Sequence, residues 1–120
     1  LGDVYKRQAY TRHMLAVAQG GTATEIAVVA LPCAWIYCVV GKHFLKNGPP
    51  PAKHPYRDWL MLYASPEFEA VQEWMRARVD TWARTAGHEE KKRMEQAFLI
   101  SSKYEWMFWE MAWNEEKWPV

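Results

Sequence analysis

Cysteine is scarce in this chain, with two among 120 residues, so no disulfide framework can hold it together. The two, Cys33 and Cys38, are five apart, which on a helix sets them about 140° from each other. That geometry disfavours a bond between them, and C-x4-C is not a zinc spacing. A reducing, cytoplasmic compartment is the expectation. Charge imbalance is also missing: the net charge is +1, which leaves no electrostatic footprint for nucleic acid or an anionic membrane. No E-x-x-H pair appears for a di-metal bundle, and His13, His43, His54 and His88 stand at no ligand spacing, so no metal is expected. There is no Gly-rich phosphate loop, no strand-like alternation, no internal repeat and no secretory signal at the start. The apolar run Ile26 to Val40 is shorter than the ~20 residues a bilayer needs and contains Pro32, so it reads as a core helix.

What is abundant is aromatic surface. The chain has 8 Trp, 6 Tyr and 4 Phe, which calls for a core, an aromatic pocket or a subunit interface. Half the residues are hydrophobic, enough for one globular domain. The pattern is helical throughout, so the fold class is all-α. Tyr10, Met14, Val17 and Ala18 form a stripe on a helix over 9–19 that Gly20-Gly21 ends. Thr22 or Thr24 can cap the next helix, which runs to about Lys46 and should bend at Pro32. "NGPPPAKHP", Asn47 to Pro55, is a loop. A short helix spans Tyr56 to Ala64. Ser65-Pro66 then starts another with the stripe Phe68, Val71, Met75, Val79 and Trp82, stopped by Gly87. The last helix, about His88 to Lys117, has two apolar faces. One carries Met94, Phe98, Ser101, Glu105, Phe108 and Ala112; the other carries Ser102, Trp106, Trp109 and Trp113. Two such faces imply burial on both sides, against the core and against a partner or further helices.

The first eight residues, "LGDVYKRQ", read differently from the rest. Asp3 to Gln8 resembles the translation of a transposon-end adaptor used in sequencing libraries. Residues 1–8 are therefore expected to be non-native, with 9–120 the C-terminal part of a longer helical domain.

Two side chains are candidates for chemistry. A cysteine in an apolar helix is ordinarily a small, inert hydrophobe, and Cys38 is read that way. Cys33 differs, because Pro32 before it disturbs the helix ladder and Tyr37 lies one turn on along the same face. Glu105 stands among Phe98, Phe108 and Ala112, where an ionised carboxylate is costly unless it snorkels to water, finds a polar partner or keeps its proton. A Cys and a Glu facing each other would make a nucleophile with its acid/base partner. Tyr10, Tyr37, Tyr63 and Tyr104 fall on or near buried faces, where hydroxyls want partners and rings can stack on flat ligands.

Taken in order, "AYTRHML", "LPCAWIYCVVG", "YRDWLMLYASPEF" and "SSKYEWMFWEMAW" resemble the TenA/thiaminase II family over about residues 9–117. The resemblance implies an all-α fold like haem oxygenase, usually a homotetramer, with no haem, metal or other cofactor. It implies hydrolysis of aminopyrimidine breakdown products of thiamin, and of thiamin itself, to the hydroxymethylpyrimidine used in thiamin salvage. By the same resemblance Cys33 matches the catalytic cysteine and Glu105 the acid/base glutamate. Tyr37 matches a tyrosine close to the ring nitrogens, Tyr63 one that stacks on the pyrimidine, Tyr10 a polar lining residue and Phe108 an aromatic wall. Family members also carry upstream helices with a carboxylate that reads the exocyclic amine, and these residues have no counterpart here. A same-fold alternative, a protein like those of pyrroloquinoline-quinone synthesis, would want a His- and Arg-rich site. A non-catalytic helical module would turn Cys33 and Glu105 toward different neighbours.

Overall fold

The computed structural model describes residues 3–116. Among them are five helices and no strand: α1 (Asp3–Gly20), α2 (Ala23–Leu45), α3 (Arg57–Tyr63), α4 (Pro66–Thr85) and α5 (His88–Trp113). The all-α class is as expected. α1 begins at Asp3 rather than residue 9, since nothing from 3 to 8 breaks a helix. α5 ends at Trp113, where Asn114 caps it and Glu115 turns into the left-handed region at φ 49°. The expected end at Lys117 lies outside the described residues.

Local chemistry sets the boundaries. Thr22 and not Thr24 caps α2: its Oγ1 accepts from the Glu25 N–H at 3.3 Å and donates to the Glu90 carboxylate at 2.7 Å. Glu25, buried at the third helical position, accepts from Arg93 Nε at 2.8 Å, so Thr22 and Glu25 each tie the start of α2 to α5. Ser65 caps α4 by accepting from the Phe68 N–H at 3.1 Å, with Pro66 at the first helical position.

α2 is the centre of the fold, packing against α1, α3, α4 and α5. It is 23 residues long, matching the expected span from a threonine cap to about Lys46, with the apolar run Ile26 to Val40 inside it and Glu25, Lys42 and His43 toward its ends; by length and composition alone it could cross a bilayer. The helix runs unbroken through Pro32, whose ring is fully buried. Near one end of the fold Val28 and Val29 of α2 meet Met94 and Ala97 of α5, flanked by Met14, Val17 and Val79. Each large side chain buried there stabilises the fold by about 1.5–3 kcal/mol. Three expectations fail at the level of single faces. Ala18, Val71 and Ala112 are exposed; Gln72 and Met111 are buried in the places expected of Val71 and Ala112.

The helices form a slab of 50 × 43 × 16 Å, no more than two helices deep. Its accessible surface is 8528 Å², where a compact chain of 14.1 kDa would expose about 6,700 Å². Leu99, Trp106, Trp109, Trp113, Phe44 and Trp74 are among the large apolar side chains left in solvent.

Candidate active site

Glu105 sits about two-thirds of the way along α5, where α1 and α2 pack against that helix, and is only 4 % exposed. Three acidic hydrogens from two other helices face its carboxylate: the Cys33 thiol and Tyr37 hydroxyl of α2, and the Tyr10 hydroxyl of α1. Cys33 and Tyr37 reach it together because they are one turn apart on α2. A carboxylate has about four lone-pair positions, so a single group can serve all three donors. The contacts are open ones: the Tyr10 hydroxyl, aimed at Glu105 and Ser101, closes no strict hydrogen bond, and the fully buried Ser101 hydroxyl is likewise without one. Of the three ways for Glu105 to exist on an apolar face, the structure supplies polar partners.

The electrostatics follow. Burial pushes the Cys33 thiol above its ordinary value, and the adjacent Glu105 charge raises it further. The sulfur is therefore a thiol at neutral pH, not a standing thiolate. Burial first and Glu105 second also raise Tyr10 and Tyr37, so both remain neutral donors; the Trp109 indole N–H pulls Tyr37 slightly the other way. Cys33 is exposed on one side while Cys38 is buried. The two thiols of "LPCAWIYC" thus point apart, one toward solvent and one into packing. Trp35 between them is structural too, set against Phe98 at 5.9 Å with the Arg76 guanidinium 4.0 Å above its ring.

Beside this polar centre is an aromatic cluster. The Tyr37 ring lies 5.1 Å from Tyr63, 5.8 Å from Trp59 and 6.0 Å from Trp109. Tyr63 also meets Trp59 at 4.7 Å and Phe68 at 4.8 Å. Gly41, one turn after Tyr37, permits it. A Cβ on Gly41 would lie 2.9 Å from the Ala64 nitrogen and the Tyr63 carbonyl carbon, so only glycine lets the end of α3 pack this closely on α2. Tyr10 stacks on Tyr104 at 5.4 Å, with His13 beside it.

Of the expected site residues, Cys33, Tyr37, Tyr10 and Glu105 converge directly. Tyr63 is one ring away, through Tyr37. Phe108 reaches the cluster only through Trp109, at 5.9 Å. Sequence reasoning did not place Trp59 or Trp109 at the site; the sole clue was Trp109 falling one turn after Glu105. Among the described residues no three His, Cys, Asp or Glu side chains gather as a metal site.

The pattern that defines the TENA/THI-4/PQQC family matches residues 5–115. The chain belongs to this family. Its fold is accordingly of the helical haem-oxygenase-like type. It is 40% identical over 111 residues to an aminopyrimidine aminohydrolase of Halalkalibacterium halodurans, covering 92% of this chain and 49% of that protein. It is 36% identical over 111 residues to the Bacillus subtilis protein of the same name, covering 92% and 46%. With the Helicobacter pylori protein of that name it shares 32% over 108 residues, covering 89% and 49%. The chain spans about half the length of these curated relatives.

Proposed function

We propose that the whole protein hydrolyses aminopyrimidines, 4-amino-5-aminomethyl-2-methylpyrimidine or thiamin, to the hydroxymethylpyrimidine of thiamin salvage, and that this chain carries its nucleophile and acid/base. The observation that carries the proposal is the meeting of the Cys33 thiol with the buried Glu105 carboxylate. In this scheme Cys33 gives its proton to Glu105 as sulfur attacks the electron-poor pyrimidine system. The charge that opposed a thiolate is thereby removed at the moment the thiolate forms. With the aminomethyl substrate the C–N bond breaks and Glu105 returns the proton to the leaving amine; with thiamin the thiazolium leaves as neutral thiazole and Glu105 gives that proton to solvent. Glu105 then takes a proton from water as its oxygen bonds to carbon and the C–S bond breaks; that proton ends on sulfur, restoring the thiol. Tyr10 and Tyr37, both neutral donors, steady the carboxylate and address ring nitrogens. Tyr63 and Phe108 are the stacking and walling aromatics, joined by Trp59 and Trp109.

The names of the relatives support the reaction class. A carboxylate for the exocyclic amine is to come from elsewhere in the whole protein. Within the same proposal the enzyme works in the cytoplasm as a homotetramer, without metal or organic cofactor, nucleic acid or membrane. The test joins the upstream half of the H. halodurans relative to residues 9–120. The chimera should release hydroxymethylpyrimidine, and the 120-residue chain alone should not. An inactive but folded chimera, or an equally active lone chain, would count against it.

A further inference from the structure

Taking Glu105 as the acid/base proposed above, we infer that Ser101 is a positioning residue: its hydroxyl donates to Tyr10, and this keeps the Tyr10 proton directed at Glu105. A serine inside a helix ordinarily returns its hydroxyl to the carbonyl four residues back. Ser102, next along α5, does so, donating to the Phe98 carbonyl at 2.8 Å. Ser101 does not. It is 0 % exposed and its Oγ closes no hydrogen bond, either with its own helix or with another. A buried hydroxyl without a partner is destabilising, so a hydroxyl held here, away from its default acceptor, points to a use.

The surroundings of Ser101 supply that use. Ser101 and Glu105 are one turn apart on α5 and share a face. The Tyr10 hydroxyl of α1 faces both of them, and it too is buried without a closed hydrogen bond. Its ring lies on Tyr104, with centroids 5.4 Å apart and planes 17° from parallel. That stack fixes the ring and leaves only the hydroxyl hydrogen to be directed. A phenol oxygen has one proton to give and can also accept. Were Ser101 the acceptor, the Tyr10 proton would turn away from Glu105. With Ser101 as donor, the phenol oxygen accepts on one side and its own proton goes to the carboxylate, the stronger acceptor. Tyr10 then fills one lone-pair position of Glu105 and leaves others for the Cys33 proton.

Two measurements on the 120-residue chain test this without any hydrolysis assay, so their outcome is separate from that of the proposed reaction. The first is the pH midpoint for iodoacetamide labelling of Cys33, whose titratable neighbours are Glu105 of α5, Tyr10 of α1 and Tyr37 on its own helix. A Glu105 carboxylate that loses the Tyr10 hydrogen holds the thiol hydrogen more tightly. Ser101→Ala should therefore raise the midpoint by about half a pH unit. Tyr10→Phe should raise it at least as much, and Ser101→Ala added to Tyr10→Phe should change nothing further, because the serine acts through the tyrosine. The second is the thermal melt. Ser101→Ala should lower Tm by about 4 °C in the native chain, and leave it level or raise it in Tyr10→Phe, where the serine hydroxyl has lost its acceptor. A serine that only packs gives a level or raised Tm and an unmoved midpoint for Ser101→Ala, and that result would overturn the inference. So would equal effects of Ser101→Ala with and without Tyr10. An effect cancelled by His13→Phe instead would overturn it too, by making the buried Nε2 of His13, whose ring lies beside Tyr104, the partner of the serine.

Discussion

Gly41→Ala is the smallest change that separates the two layers of the site. In a helix interior, Ala replacing Gly gains about 1 kcal/mol from propensity alone. At this position the added methyl would stand 2.9 Å from the Ala64 nitrogen and the Tyr63 carbonyl carbon and 3.0 Å from Tyr63 Cβ. Attractive contact between such atoms begins at about 3.5 Å, so the end of α3 must withdraw by roughly half an ångström. Two of the three neighbours are backbone atoms, and the Ala64 N–H is held by the Leu60 carbonyl at 3.1 Å, so no flexible side chain can absorb the shift. Overpacking of this kind costs about 1–3 kcal/mol. The net loss is about 1 kcal/mol, a fall in Tm of ~4 °C for a domain of this size. Gly41→Val, bulkier and with less helical gain, should lose about 2–3 kcal/mol. Thermal melts followed by far-UV circular dichroism give the order Gly, Ala, Val, and the near-UV signal of the Tyr37–Tyr63–Trp59 cluster should weaken in step. A rise in Tm for Gly41→Ala would show that α3 does not lie against Gly41, and the placement of Tyr63 would fall with it.

Two further expectations follow from the charge environment of Glu105. Glu105→Gln removes the carboxylate that helps to raise the Cys33 thiol, so the pH midpoint for iodoacetamide labelling of Cys33 should move down; peptide mapping separates it from buried Cys38, and an unmoved midpoint would mean the two groups do not meet. The native fold holds protons on Cys33, Tyr10 and Tyr37 more tightly than the unfolded chain does. Their contribution to stability is complete below the ordinary pKa values, about 8.5 for a thiol and 10 for a phenol, and is lost as pH rises beyond them. The urea midpoint should therefore fall between pH 8 and pH 10.5, and fall less in Tyr10→Phe; equal falls in the two proteins would remove Tyr10 from the account.

Helices and their ends were legible because their signals are local. Thr22, Ser65-Pro66 and Gly87 act on the next few residues, and each stands where its chemistry required. Glu105 was legible because a carboxylate among Phe98, Ser101 and Phe108 has few inexpensive resolutions, and Cys33 because Pro32 and Tyr37 frame it. Faces were read less well. On α4 both Val71 and Gln72 are compatible with a stripe through Phe68 and Met75, and hydrophobicity chose Val71. The packing of α4 against α2 decides instead, and it buries Gln72. Trp59 and Trp109 escaped notice for a related reason. Their meeting with Tyr37 depends on how closely α3 settles on α2, which Gly41 sets through contacts more than twenty residues away in sequence.

The central claim, that Cys33 is a nucleophile served by Glu105, is tested most directly by kcat/KM for aminopyrimidine hydrolysis in the chimera with the upstream half of the H. halodurans relative, with and without Cys33→Ser. A serine at the same position has a far higher pKa and only a carboxylate to activate it, so kcat/KM should drop by about a thousandfold or more while helicity and the melt are unchanged. Activity retained within a few fold would make the thiol structural and would contradict the account.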